Sequence, residues 1–330
     1  MNDPIPFAGL SPETILDAVE SLGIACDGRL MAMNSYENRV WQIGRDEAEP
    51  LIAKFYRPAR WSDAQIDEEH QFVAEMAAAE LPVVAPLSFD GATLHRHGGF
   101  RFALYPRRGG RAPELEDPAV LEWMGRLLAR LHNIGAVRPF VTRPLLDSET
   151  FGYDTCEWLF EHAAIAEDVI ETWAGVAEQA LVEIDACYER AGDVTLLRLH
   201  GDCHSGNVLW SPEASGGPHF VDFDDARTGP AVQDLWMLLS GEAAEMNIQM
   251  QHVVRGYELF RPFDRRELYL IEALRTLRLL HHSAWLAQRW QDPAFPAAFP
   301  WFAGPRYWED RILELREQIA RMQEPALAVA

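Results

Sequence analysis

Apolar residues recur along this chain in two rhythms, and the change from one to the other divides it. Ile15, Val19 and Leu22 repeat at helical spacing behind Ser11-Pro12, an N-cap with proline at the first helical position, which predicts a helix over 11–23. From Leu30 the pattern turns to strands. Arg39–Ile43 and Leu51–Tyr56 flank a polar turn, Gly44 to Pro50, and predict a hairpin. Lys54 sits inside the second of these strands, between Ala53 and Phe55. It shares a pleat face with Ile52 and Tyr56, which points its ammonium into a partly closed cleft. A helix follows from about Ser62, with Ile66, Phe72, Val73 and Met76 as its inner face. Glu69 projects near that face and Glu68 is its rival for the same position. Two more strands, Ala92–His97 and Gly99–Leu104, close this section.

Tyr105–Arg111 breaks the pattern and reads as a connection, within which Arg107, Arg108 and Arg111 serve equally well as cleft-mouth cations or as a solvated loop. The rest is helical in rhythm. Asp117-Pro118 opens a helix through His132, with Leu121, Met124, Leu127, Leu128 and Leu131 on one face. Glu157–Arg190 holds one or two helices, and Val232–Leu239, Arg265–Arg289 and Arg306–Met322 supply more. The tail Glu324–Ala330 is expected to fray. One interruption breaks this helical run: Val208–Trp210 and Phe220–Asp222 flank the turn-rich segment Ser211–Pro218 and predict a second hairpin. The expected fold is therefore α+β, with a small antiparallel β lobe carrying one helix (residues 1–105) and a larger, mainly helical lobe (106–330) in which the second hairpin is embedded.

Composition narrows what such a chain can do. The formal net charge of −22 over 330 residues argues against nucleic-acid or anionic-membrane partners, which need a positive field. Among the 29 basic residues Lys54 is the only lysine. An ammonium and a guanidinium differ in shape and hydration, so a site that needs the slimmer cation explains why one lysine is kept in an arginine-rich chain. The scattered Cys26, Cys156, Cys187 and Cys203 show no metal-knuckle spacing and suggest reduced thiols, and the N-terminus lacks the pattern of a signal peptide. A cytoplasmic monomer is expected.

The second hairpin carries the candidate chemistry. In an antiparallel pair the residue entering the first strand lies beside the one leaving the second, so Asn207 and Asp222 should converge, with Asp202 on the loop that feeds them. Oxygen donors gathered at a strand end suit a hard cation such as Mg²⁺ against phosphates. Phosphoryl transfer needs a phosphate-gripping cation, metal ligands and a residue that orients the attacking hydroxyl. Lys54 can grip the phosphates of ATP, and Glu69 can fix its ammonium. Asn207 and Asp222 can hold Mg²⁺, while Asp202 accepts the hydrogen bond and then the proton of the acceptor hydroxyl.

At these residues the chain resembles a known family. His200-Gly201-Asp202 followed by Asn207, and Asp222-Phe223-Asp224, resemble the catalytic-loop and metal motifs of the protein-kinase-like fold in its aminoglycoside phosphotransferase and choline kinase branch. Asn34–Arg39, Lys54–Pro58, Leu199–Leu209, Asp224–Arg227, Gly229–Trp236 and Asp292–Pro296 are similar to a family of bacterial stress-response kinases within that branch. The resemblance implies a two-lobed, ATP- and Mg²⁺-dependent Ser/Thr protein kinase acting in stress protection, with residues 1–105 as the nucleotide-binding lobe and 106–330 as the catalytic and substrate lobe. It further implies Ser35 as an ATP contact, Asp224 as an added acidic group near the metal, and Asp234 as a brace behind the catalytic loop. One departure stands out: Asn34–Asn38 occupies the place of a Gly-rich loop.

Other readings remain open on the sequence. A small alcohol or amine could replace the protein acceptor, since Asp202 serves either. A pseudokinase that only binds partners conflicts with the joint presence of Lys54, Asp202, Asn207 and Asp222. Zinc at His200, Cys203 and His204 lacks an evident fourth ligand. A phosphatase with an aspartyl nucleophile at Asp222-x-Asp224 would need a lysine later in the chain, and none follows Lys54.

Overall fold

The computed structural model describes residues 5–162, 165, 167–211, 217–304 and 306–329. In chain order the elements are α1 (Pro12–Glu20), β1 (Cys26–Ala32), β2 (Arg39–Arg45), β3 (Ala48–Phe55), α2 (Asp63–Ala78), β4 (His95–His97), β5 (Phe100–Pro106), α3 (Pro118–Gly135), α4 (Asp154–Glu161) and α5 (Ile170–Ala191). They continue as β6 (Leu196–Leu199), β7 (Val208–Ser211), β8 (Gly217–Phe220), β9 (Arg227–Pro230), α6 (Val232–Trp236), α7 (Ala243–Tyr257), α8 (Ile271–Gln288), α9 (Ala294–Ala298) and α10 (Arg306–Gln323). The chain is α+β and separates into two compact units. No helix among the described residues is long and apolar enough to cross a membrane.

The first unit comprises residues 1–113, 141–143 and 206–224. Its sheet runs β1-β2-β3-β5-β4, antiparallel throughout. Alternation along the central β3 sorts its side chains. Leu51, Ala53 and Phe55 enter a core with Ile15 and Val19 of α1, while Tyr56, just past the strand, packs with Ile66 of α2 on the opposite face. Lys54 lies on that second face, its ammonium 5.2 Å from the Tyr56 ring. α2 begins with a capping box in which Ser62 and Gln65 exchange side-chain-to-backbone hydrogen bonds, and it buries Ile66, Phe72, Val73 and Met76 as its periodicity predicts.

Several boundaries differ from expectation for physical reasons. β2 and β3 extend into the polar turn, because Glu47 takes a positive φ of 51° and closes a tight hairpin. β1 carries Asp27, Gly28 and Arg29 and is mostly solvent-facing, as an edge strand can be, so it gives no apolar signal. The strand expected over Ala92–His97 shrinks to β4. The second hairpin forms as β7 and β8, with Val208 opposite Phe220; its turn, residues 212–216, lies outside the described residues. That hairpin groups with the first unit rather than with the helices that surround it in sequence. Phe220 N donates to Pro82 O at 2.8 Å, Val84 N to Phe220 O at 3.0 Å, and Arg111 exchanges backbone hydrogen bonds with Trp210 at 2.9 and 2.7 Å. The stretch read as a free connection is thus partly tied to the hairpin by backbone pairing.

The second unit comprises residues 114–140, 144–205 and 225–330. Its helices pack around α3, α5 and α8, and β6 pairs with β9 in a short ribbon too brief to show in the sequence pattern. The tail expected to fray has one anchor, Ala328 N donating to Asn247 Oδ1 at 2.7 Å.

Candidate active site

In the first unit the sole lysine stands at the centre of a buried ionic cluster. Lys54 Nζ lies 3.0 Å from Asp222 Oδ1 and 3.0 Å from Asp224 Oδ1. Burial opposes the ammonium's charge, but Asp222, Asp224 and Glu69 outweigh it and hold the pKa well above the ordinary lysine value. Arg60 pairs with the other oxygen of Asp224 and lies 3.8 Å from Glu37. Arg57 pairs with Glu37 at 2.9 Å, and its N–H donates to Asn38 Oδ1 at 3.0 Å, so the Asn34–Asn38 loop is tied to the segment after β3. Ser35 Oγ donates to Asn38 O at 3.0 Å, within that same loop.

Glu69 meets a different cation from the one expected. Its carboxylate pairs with Arg143 Nη2 at 2.9 Å, while the ion-pair partners of Lys54 are Asp222 and Asp224. Burial pushes the Glu69 carboxyl up to about 7, although Lys54 and Arg143 pull it down. Arg143 also donates through Nη1 to the backbone oxygen of Asp224 at 2.7 Å and through Nε to Gln65 O at 2.9 Å. It therefore links α2 to the turn after β8. Glu68, the rival of Glu69, holds the segment that delivers this arginine. It accepts the N–H groups of Val141, Thr142 and Arg143 at 2.6, 2.8 and 3.0 Å.

Asn207 and Asp222 flank the hairpin's open end, where Val221 N donates to Asn207 O at 3.0 Å. Asp222 leaves the ladder with φ 60°, a left-handed conformation that aspartate tolerates better than most residues. Its side chain is 55% exposed against 5% for Asp224, so one carboxylate is open to ligand and the other is enclosed by cations. Among the described residues no group of three or more His, Cys, Asp or Glu side chains is placed to hold a metal. A divalent cation here would lean on few protein oxygens and on phosphate oxygens, as Mg²⁺ commonly does.

Behind Lys54 lies a polar layer that sequence reasoning missed. Tyr56 OH is 2.7 Å from His70 Nε2 and 3.0 Å from Tyr105 OH, and His70 Nδ1 is 2.8 Å from Thr93 Oγ1. Burial, with Lys54 and Arg143 adding to it, lowers the His70 pKa to about 3, so this imidazole is neutral.

Asp202 belongs to the second unit, on a loop held by buried groups. Asp234, fully buried, accepts the N–H of His200 at 2.9 Å and of Gly201 at 2.9 Å, and lies 3.1 Å from His132 Nε2. His132 Nδ1 is in turn 2.8 Å from Tyr257 OH. Gln233 Nε2 donates to Gly201 O at 3.0 Å. Gly201 has φ +84°, and a Cβ there would strike the carbonyl oxygen of Asp225, so no other residue fits this turn. Asp202 N donates to His200 Nδ1 at 3.3 Å. The Asp202 carboxylate lies 2.6 Å from Arg278 Nη1 through one oxygen and 3.6 Å from His204 Nε2 through the other. Burial opposes its charge, but His204 and Arg278 prevail and hold the acid well below the ordinary range. Cys203 is buried and its thiol is pushed up by burial, Asp234 and Asp202, which disfavours the thiolate that zinc binding requires.

A lysine bound to the carboxylates of an Asp-x-Asp turn, and a loop aspartate braced through its backbone, are the parts of a phosphoryl-transfer enzyme. The chain belongs to the phosphotransferase enzyme family, which it matches over residues 32–271. It is 44% identical over 326 residues to stress response kinase A of Escherichia coli (strain K12), covering 99% of this chain and 98% of that protein. It is also 44% identical over 335 residues to the serine/threonine protein kinase RdoA of Salmonella typhimurium, at the same coverage of both chains. Among solved structures it resembles the amicoumacin kinase hAmiN in complex with AMP-PNP, Ca²⁺ and Ami, with TM-score 0.73, 17% identity and coverage of 94% and 93%. A microcompartment-associated aminopropanol kinase aligns with TM-score 0.67, 19% identity and coverage of 91% and 99%. At these identities the two structures establish the fold alone. The chain is a phosphotransferase of kinase-like fold.

Proposed function

We propose that this phosphotransferase moves the γ-phosphoryl group of ATP to a serine or threonine hydroxyl of a protein, as part of a stress response. The observation that carries the reading is the buried Lys54 ammonium on Asp222 and Asp224, a cation fixed where phosphate oxygens would compete for it. The protein acceptor and the stress role are supported by the names of the relatives that match along nearly the whole chain.

Asn207 and the exposed Asp222 are the oxygen donors that suit Mg²⁺, which would neutralise negative charge on the phosphate oxygens while the bond from the γ-phosphorus to its bridging oxygen breaks. Asp224 is assigned instead as the counter-ion of Lys54 and Arg60, since its carboxylate already meets both cations. Lys54 grips phosphate oxygens through Nζ, and Ser35 with its loop covers the nucleotide. Glu69 keeps Arg143, and so the Asp224 turn, in place. Asp202 orients the acceptor hydroxyl and receives its proton late, because an acid held this far below the ordinary range is a weak base.

The test is transfer from labelled ATP to protein acceptors and to a panel of small alcohols and amines, with wild type and Asp202→Ala. We expect label on protein, and a loss of roughly 1,000-fold or more in the variant with its fold unchanged. Labelling of the small molecules alone would move the acceptor assignment, and full activity in the variant would end the role given to Asp202.

A further inference from the structure

Arg278, on α8, has an unusual set of neighbours. Its Nη1 donates to Asp202 Oδ1 at 2.6 Å, and the guanidinium makes no other protein hydrogen bond or ion pair among the described residues. The helical positions three and four residues away are Leu274, Arg275, His281 and His282, none of them acidic. Arg275 by contrast has Glu272 at 3.4 Å and lies over Trp236 at 5.2 Å. In a chain of net charge −22, Arg278 therefore has one carboxylate counter-ion, and that is Asp202. Its side chain is 45% exposed, beside the acceptor-orienting carboxylate.

The two oxygens of Asp202 are unlike each other. Oδ1 carries the short bond to Arg278, while His204 stands 3.6 Å from Oδ2. A guanidinium offers five donors in a fixed plane, so holding a carboxylate through one nitrogen leaves donors to bind a second oxyanion.

We propose that Arg278 is an oxyanion-binding residue of the transfer reaction, anchoring Asp202 through Nη1 and receiving, through its remaining donors, an anionic oxygen that the reaction brings beside it. This rests on the role of Asp202 proposed above. The oxygen belongs either to the phosphoryl group in transfer or to a carboxylate flanking the acceptor hydroxyl. The same cation disfavours a positively charged acceptor such as an amino alcohol.

The experiment measures kcat and KM for ATP hydrolysis, with water as acceptor, and for peptides with a single serine flanked by glutamates, alanines or arginines. Wild type is compared with Arg278→Ala and Arg278→Lys, and each fold is checked by thermal unfolding. If the oxygen is the phosphoryl group's, Arg278→Ala loses roughly 100-fold in kcat with every acceptor, water included. If it is the acceptor's, the loss is about 10-fold in KM and is confined to the glutamate-flanked peptide. In either case Arg278→Lys recovers part of the loss, and a KM change confined to one peptide is what a merely structural role would not produce. Wild-type kinetics in Arg278→Ala, or a gain in activity, would overturn the proposal, the gain marking Arg278 as a plug on Asp202. Should Asp202→Ala also retain activity, the failure would lie in the reading of Asp202 itself.

Discussion

The charges around Lys54 and those around Asp202 are balanced by opposite means. In the first unit Lys54, Glu69 and Asp224 are all buried, and each charge is met by another: Asp222 and Asp224 on Lys54, Arg60 on Asp224, Arg143 on Glu69. In the second unit the partners of Asp202 are Arg278 and His204, both more than two-fifths exposed, and the buried bracing runs through the backbone of His200 and Gly201 to Asp234. A buried cluster cannot lose one member without leaving another uncompensated, whereas a pair open to water can. On the function proposed above, charge in the first unit serves stability and ligand binding together. Beside Asp202 the two are separated: Asp234 supports the loop, and the exposed cations are left to adjust the chemistry.

Three changes test this contrast, taken from the strongest effect down. Asp222→Ala removes the exposed carboxylate and leaves Lys54 on Asp224. Phosphate transfer should fall on the order of 100- to 1,000-fold, measured as turnover at saturating ATP and Mg²⁺, with little change in unfolding temperature. A large loss of stability with activity preserved would reverse the roles given to Asp222 and Asp224.

Arg143→Met leaves Glu69 buried without its partner, which costs about 3–5 kcal/mol of stability. Denaturant unfolding should show that loss, and adding Glu69→Gln should restore part of it. Two losses that simply add would mean that the pair does not act as a unit.

The effect that is smallest at neutral pH is a pH dependence that grows toward acid. Because the His70 pKa is lowered from 6.5 to about 3 on folding, the unfolded chain binds a proton that the folded one refuses. The stability His70 contributes is complete above pH 6.5 and is lost as the pH falls toward 3, at up to about 1.4 kcal/mol per pH unit. His70→Gln should flatten this part of the stability profile. Parallel profiles for wild type and variant would show that the imidazole does not resist protonation.

What could be read in the sequence was local. The pleat face of Lys54 followed from alternation with Ile52 and Tyr56, the inner face of α2 from its period, and the hairpin of β7 and β8 from the turn residues between two apolar runs. What was hidden depended on side chains brought from far along the chain. Arg143 reaches Glu69 across 74 positions, and nothing near residue 143 marks it apart from the many other arginines. Arg60 and Arg278 were hidden for the same reason, and His132 looked like the end of an amphipathic helix until Asp234 and Tyr257 were placed beside it. The choice between Glu68 and Glu69 had no local answer, because both acids are used. Glu68 collects backbone N–H groups and Glu69 takes the guanidinium. The grouping of the second hairpin with the first unit was equally out of reach, since it rests on backbone pairing to Pro82, Val84 and Arg111.

A chain with one lysine has one ε-amine, and here that amine is buried and kept protonated by its carboxylates. An acylating reagent needs the free base, so Lys54 resists labelling until it leaves Asp222 and Asp224 and sheds its proton. Intact mass then gains a single ε-amine adduct per molecule, apart from any at the terminal amine. The rate of that modification is a clock for the opening of the ion pairs that Lys54 makes with Asp222 and Asp224. It can be read on the unaltered protein, with no cysteine or fluorophore introduced.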